Sequence, residues 1–252
     1  MFQPKLIVTD LDGTALKNNK TISNATIEAF AQCRKHGIPS AIATARYLGG
    51  AMPFAKKLHT EYQILTDGTL IYEKGSLIYS NAMDIATTNA ILKELQKYSC
   101  TSHIAIPTTK GLYRYPKSSI KGKNNRSFSI ENPFPYPGNK IVAELPDESI
   151  ADKIAQKCQC SKLRYRDENR FAFYNKTAGK LDAIQYLAQR IGISLEDILV
   201  FGDDQNDIEM ITHCGYGVAM ANATNEVKAA ANEVTDSNEN DGIAKILSRF
   251  FR

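Results

Sequence analysis

Two short apolar runs in this chain each end in a cluster of acids. Leu6-Ile7-Val8 leads within two residues to Asp10-Leu11-Asp12-Gly13-Thr14, and Ile198-Leu199-Val200-Phe201 leads directly to Gly202-Asp203-Asp204-Gln205-Asn206-Asp207. Short apolar runs bounded by turn-forming residues read as strands buried on both faces, the kind that parallel sheets use. Ligands of open α/β sheets bind beyond the carboxyl ends of the strands, so both acid clusters are expected at one ligand-binding edge. Carboxylates gathered there repel one another unless a cation lies between them, and paired hard oxygen donors suit Mg²⁺.

The residue types also suggest a chemistry. A carboxylate can attack phosphorus to form an aspartyl-phosphate, and a second acid two residues along can protonate the leaving oxygen. Asp10 and Asp12 fit these roles. On extended chain residues i and i+2 point the same way, which would turn both carboxyl groups toward one substrate. Gly13 permits the tight turn that follows. Taken alone, Asp-x-Asp-Gly-Thr also reads as an ordinary turn, since Asp and Gly are common turn formers.

The first part of the chain alternates helix and strand. Ser23 to His36 reads as a helix with a Ser N-cap and Gly37 as its stop, Ser40 to Thr44 as a strand, and Leu48 to Leu58 as a helix interrupted by Pro53. Gln63-Ile64-Leu65-Thr66 then meets Asp67-Gly68, a hairpin signal, with Leu70-Ile71-Tyr72 and Ser76 to Tyr79 as flanking strands. Such alternation implies an α/β fold with a doubly wound, Rossmann-like parallel sheet. The character changes over residues 82–179: helices from Asp84 to Tyr98 and Asp147 to Cys158 accompany strands around His103-Ile106, Lys140-Leu145, Lys162-Arg166 and Arg170-Tyr174. The expected organisation is a core formed by residues 1–81 and 180–252, with an α+β insert at 82–179.

Charge divides along the same boundary. The insert holds 16 Lys+Arg against 9 Asp+Glu, and the remainder 15 against 18, so a basic module interrupts an acidic one. A basic insert near an acidic metal site would attract anionic substrates, although most of its charges are expected to be solvated surface. Lys117 to Arg126, with Tyr113 and Tyr115 upstream, has the composition of a nucleic-acid-binding segment. The net charge of only +4 and the lack of any known nucleic-acid motif make that the weaker class, so no nucleic-acid partner is expected. No apolar run approaches the ~20 residues that cross a bilayer, and the N-terminus passes straight into the first strand. Five cysteines without a repeating framework favour reduced thiols, and the expected location is the cytoplasm. Cys158-Gln159-Cys160, with a one-residue gap and no nearby second pair, is a poor zinc site.

Asp10 to Thr14, Thr44 at a strand end, Lys180 opening a helix and Gly202 to Asp207 occur in an order that resembles the haloacid dehalogenase (HAD) superfamily. Gly217 to Ala223, Val227 to Ala231 and Asn240-Asp241-Gly242-Ile243 resemble the C-terminal signature of its Cof-type phosphatases. The resemblance implies a HAD core with a large inserted α/β cap. It also implies Mg²⁺ held by Asp203, by Asp10 through its side chain and by Asp12 through its main-chain carbonyl, with Asp207 acting through water or orienting Lys180. Thr44 and Lys180 would neutralise the phosphoryl oxygens, which carry the spreading charge of the transfer. Asn206 would contact the phosphate or the nucleophile, and Asp204 would face outward. Three departures from the family pattern stand out: Thr44-Ala45-Arg46 for Thr-Gly-Arg, leaving Arg46 for substrate; Asp67-Gly68-Thr69 for Asn-Gly-Ala; and Leu181 after Lys180 for the frequent Gly. The expected activity is Mg²⁺-dependent hydrolysis of a small-molecule phosphate ester, a sugar phosphate first. A phosphomutase, which shares the aspartyl-phosphate step, is the nearest rival.

Overall fold

The computed structural model describes residues 2–98, 102–119, 125–166 and 168–250. The chain forms two compact units, Met1–Tyr79 with Gly179–Arg252, and Ser80–Ala178.

In the first unit, β1 (Leu6–Thr9), α1 (Asn24–Lys35), β2 (Ser40–Ala43), α2 (Leu48–Leu58) and β3 (Tyr62–Leu65) alternate as the apolar pattern predicts. Ser23 caps α1 by accepting a hydrogen bond from the Thr26 N–H. Pro53 does not interrupt α2, which runs on to Leu58. A proline forfeits the backbone bond to the residue four before it and crowds that carbonyl, and here that residue is Gly49, which has no side chain to add to the crowding. After β3 the chain turns back antiparallel as β4 (Leu70–Glu73) and continues as β5 (Ser76–Ser80).

The second unit comprises α3 (Ile85–Leu95), β6 (Ser102–Thr108), β7 (Gly111–Tyr115), β8 (Asn125–Ser127), β9 (Ile141–Glu144), α4 (Glu148–Cys158), β10 (Ser161–Arg164) and β11 (Arg170–Tyr174). Its six strands lie in the order β10-β11-β9-β6-β7-β8. Helices α3 and α4 cover one face, packing Ile91, Leu92, Ala151 and Ile154 against Ile104, Ile106, Ile141, Phe171 and Phe173. Arg164 lies opposite Phe171 in register, so it belongs to this helix-covered face, where its guanidinium reaches Glu148 at 3.4 Å and sits 5.9 Å from the Phe171 ring. The Lys117 to Arg126 segment carries a short helical turn at Lys117–Ser119 and enters β8; residues 120–124 lie outside the described residues, as does Asp167 at the β10–β11 turn.

The chain then returns to the first unit with α5 (Lys180–Ile191), β12 (Ile198–Gly202), α6 (Ile208–His213), β13 (Tyr216–Ala219), α7 (Asn225–Ala230), β14 (Glu233–Val234) and α8 (Gly242–Phe250). The eight-stranded sheet runs β14-β13-β12-β1-β2-β3-β4-β5. Neighbouring strands from β14 to β3 are all parallel, whereas β3 and β4 pair antiparallel, so the sheet is parallel only up to the hairpin. Alternate residues feed two cores. Ile7, Ile42, Leu199 and Phe201 pack with α1, α2 and α8, while Leu6, Val8, Ala41 and Val200 pack with α5, α6 and α7. Full burial on both faces is what a parallel strand covered by helices requires, and it explains the unbroken apolar runs. Among the described residues no helix is long and apolar enough to cross a membrane, and Cys33, Cys158, Cys160 and Cys214 are free thiols.

Candidate active site

The carboxyl ends of β1, β2, β3 and β12 deliver Asp10, Thr44, Asp67 and Asp203 to one edge of the sheet. Asp10 is fixed there by its own backbone, whose N–H donates to the Phe201 carbonyl across the parallel pair at 3.0 Å. Lys180, the first residue of α5, is buried, and its Nζ donates to Asp10 Oδ1 at 2.7 Å and to Asp207 Oδ1 at 2.6 Å. Burial holds the Asp10 carboxyl well above the usual carboxylate range; Lys180 works against this, and the nearby charges of Asp207 and Asp203 reinforce it. Burial by itself would lower the Lys180 ammonium, but Asp10 and Asp207 outweigh it and hold the group above the usual lysine range.

Asp203 and Asp207 complete an acidic group. Asp10, Asp203 and Asp207 are all buried and each offers a carboxylate oxygen, the three lying within 4.8 Å of one another. Asp203 Oδ1 accepts a hydrogen bond from the Thr14 hydroxyl at 2.8 Å. Asp207 turns its second oxygen back to accept the backbone N–H groups of Asp203 and Asp204, at 2.9 and 3.1 Å. Gly13 lies so close that a Cβ there would stand 2.3 Å from Asp203 Oδ2, and its φ of +81° is itself one that glycine tolerates best. Three buried carboxylates share one buried lysine, which bonds two of them, an imbalance that a small, hard divalent cation would neutralise with ligands of its preferred kind. The residues present therefore fit a divalent metal.

Asp12, expected to face the substrate beside Asp10, is held by two cations. Strand β1 ends at Thr9, and the Asp12 side chain stands 41% exposed. Arg46 grips it with two hydrogen bonds, Nε to Oδ2 at 2.6 Å and Nη2 to Oδ1 at 2.7 Å, and Lys20 adds a third to Oδ1 at 2.8 Å. Partial burial pushes the Asp12 carboxyl up, but the bonds from Arg46 and Lys20 dominate and bring it down to about 2. Arg46, expected to serve substrate, is thus engaged by Asp12. Thr44 is buried; its N–H donates to the Ile64 carbonyl at 2.9 Å, and its hydroxyl accepts from the Arg46 N–H at 3.3 Å. Asn206 lies on the turn after β12, where its Nδ2 donates to Asp67 Oδ1 at 2.9 Å. Asp204 caps that turn by accepting from the Gln205 N–H at 2.8 Å.

The family of haloacid dehalogenase-like hydrolases matches residues 7–247. The chain belongs to that family. A putative phosphatase from Haemophilus influenzae is 30% identical, the match covering 98% of both chains, and the pyridoxal phosphate phosphatase YbhA of Escherichia coli is 26% identical over 96% of this chain and 97% of its own. Among solved structures, the HAD subclass IIB sugar phosphatase BT4131 superposes with a TM-score of 0.85 at 23% identity, covering 97% of this chain and 98% of that one. At that identity the likeness speaks to the fold: an α/β HAD core carrying an inserted α+β domain.

Four contacts of this HAD hydrolase were not read from its sequence. Thr14, inside the Asp-x-Asp-Gly-Thr stretch, was legible as a turn residue but not as the partner of Asp203, 189 positions away. Lys20 joins Asp12 from a turn that no motif marks. Asn222 of the C-terminal signature donates to the Gly13 carbonyl at 2.8 Å, and Asn238, outside it, donates through Nδ2 to the Leu16 carbonyl at 2.9 Å, so both tie down the segment that follows Asp12.

Proposed function

We propose that this HAD hydrolase is a Mg²⁺-dependent phosphomonoesterase of small phosphorylated metabolites, sugar phosphates foremost, with Asp10 as the nucleophile. The observation that carries the proposal is the Lys180 bridge between Asp10 and Asp207 inside a group of three buried carboxylates. Asp10, Asp203 and Asp207 would hold the metal, which when bound would neutralise the carboxylates and the phosphoryl oxygens. Lys180 keeps Asp10 Oδ1 oriented and supplies one positive charge where the transferring group spreads its negative charge. Asp10 attacks phosphorus through a carboxylate oxygen, and the alcohol leaves with a proton. Water then cleaves the aspartyl-phosphate and returns Asp10.

Asp12 is the group assigned to the proton steps. Held by Arg46 and Lys20 it is anionic at neutral pH, ready to take a proton from the hydrolytic water but unfit to donate one. The acid step therefore requires Asp12 to let go of these partners and take up a proton from solvent, which it then passes to the leaving oxygen; the same exchange would release Arg46 to the phosphoryl group. Thr44 contributes its hydroxyl to the same oxygens.

Relatives guide the choice of substrate. YbhA is a pyridoxal phosphate phosphatase and BT4131 a sugar phosphatase, so both ester classes belong in the test panel. Release of inorganic phosphate should appear with Mg²⁺ on at least one sugar phosphate and vanish with chelator. Turnover that survives complete metal removal, or no release across the panel, would defeat the proposal.

A further inference from the structure

Three consecutive residues after β3 adopt positive φ: Thr66 at 52°, Asp67 at 56° and Gly68 at 88°. Such backbone is costly for Thr above all, because a branched Cβ crowds the carbonyl, and it persists only where surrounding structure over-determines it. The surroundings here do so. Thr66 N–H donates to the Arg46 carbonyl at 3.0 Å and Asp67 N–H to the Thr44 carbonyl at 3.1 Å. Gly68 is pressed against the start of α5, where a Cβ would lie 1.9 Å from the Gly179 carbonyl oxygen. The turn thus touches the segments that carry Thr44, Arg46 and Lys180, and its Asp67 side chain, buried at 2% exposure, meets Asn206.

A carboxylate accepts hydrogen bonds and donates none, whereas an amide does both and can stand either way round. Asp67 therefore dictates the orientation of its neighbour. Asn206 must turn Nδ2 toward Asp67, which places its amide plane and leaves one N–H hydrogen and Oδ1 for other partners. An amide at position 67, as in the family pattern, would impose no such polarity.

We infer that Asp67 is a positioning residue: it fixes the rotamer and polarity of the Asn206 amide so that the remaining N–H donates to the phosphoryl group. The inference rests on the phosphatase reading, in which Asn206 meets phosphate, and it assigns to a buried acid outside the metal group a task in binding the transferred group.

The experiment is a mutant cycle on the full chain, read by kcat/KM on a phosphate ester, by calorimetric binding of inorganic phosphate in the presence of Mg²⁺, and by thermal unfolding. Asp67→Gly removes the side chain without straining the positive φ, and should lower kcat/KM and phosphate affinity about tenfold, the scale of one ordered hydrogen bond. In an Asn206→Ala background the same replacement should cost nothing more. Exchanging the partners, Asp67→Asn with Asn206→Asp, restores a donor and an acceptor across the pair but presents a carboxylate to phosphate. It should recover thermal stability and not turnover. Losses that multiply in the Asn206→Ala background, or exchanged partners with wild-type turnover, would reduce the contact to a structural one and overturn the inference. The calorimetric arm separates the two readings. A wild-type protein that hydrolyses nothing defeats the phosphatase reading, whereas a phosphate affinity untouched by Asp67→Gly defeats the role of Asp67.

Discussion

Lys180→Met is the perturbation that most sharply probes the electrostatics of the site. The ammonium is 1% exposed and lies 2.7 and 2.6 Å from two carboxylate oxygens. At an effective dielectric of ~20 each contact carries a Coulomb attraction of about 6 kcal/mol, most of it offset by the cost of taking the charges out of water. Methionine keeps the length of the stem and removes the charge, which leaves Asp10, Asp203 and Asp207 buried together. Breaking a buried pair in this way costs about 3–5 kcal/mol, a fall in Tm of roughly 6–20 °C for a domain of this size. The remaining carboxylates relieve the repulsion by binding protons, so Asp10 rises further above its unfolded value. A carboxyl group with a raised folded pKa stabilises the fold below its unfolded pKa of 3.8, and that contribution is lost as pH climbs through the folded value. The deficit relative to wild type should therefore widen from pH 5 to pH 8 in chelator. Mg²⁺ should raise the Tm of the variant more than that of wild type, because it supplies the missing positive charge. Urea unfolding at two pH values, with and without Mg²⁺, tests this. A loss below about 1 kcal/mol at pH 8 in chelator would refute the reasoning, because a pocket without its positive charge would then tolerate three carboxylates.

Further outcomes follow from the same geometry. Asp12→Asn should slow hydrolysis of an alkyl phosphate by ~10²- to 10⁴-fold, and that of an activated aryl phosphate, whose leaving group needs little protonation, by less; equal losses would remove the acid role. The folded-state pKa of Asp12 is depressed to about 2, so the stability it contributes is present above 3.8 and lost as pH falls toward about 2. Acid unfolding of Arg46→Ala should accordingly show a smaller drop across that window than wild type. Asp203→Ala should weaken Mg²⁺ activation more than Asp204→Ala, since Asp203 lies in the buried acidic group and Asp204 caps a turn; titration of activity with Mg²⁺ ranks the two. Gly13→Ala, whose Cβ would stand 2.3 Å from Asp203 Oδ2, should raise the Mg²⁺ concentration needed for half activity, and an unchanged value would separate that loop from the metal site.

What the sequence disclosed was set by range. Apolar runs of four residues declare buried strands, and an acid at the end of such a run declares a place at the sheet edge, so Asp10 and Asp203 could be paired across 193 positions by pattern alone. Hydrogen-bond partners chosen by side-chain reach leave no such trace. Arg46 and Lys20 reach Asp12 from 34 and 8 positions along the chain, and no spacing in the sequence announces either contact. The β3–β4 turn shows both sides of this. Asp67-Gly68 correctly signalled a reversal, yet the departure from the family Asn could be noted without a partner to explain it until Asn206 was seen beside it.

The central claim is that Asp10 carries the phosphoryl group. Asp10→Asn retains the size of the side chain and its place beside Lys180, while an amide nitrogen and a neutral carbonyl are poor nucleophiles. The decisive measurement is phosphate release by Asp10→Asn and wild type under saturating Mg²⁺, on whichever ester the wild type hydrolyses best, with circular dichroism confirming the fold. The account predicts no release above the uncatalysed rate from a folded variant. Near-wild-type release from folded Asp10→Asn would contradict it and leave water, not Asp10, as the attacking group.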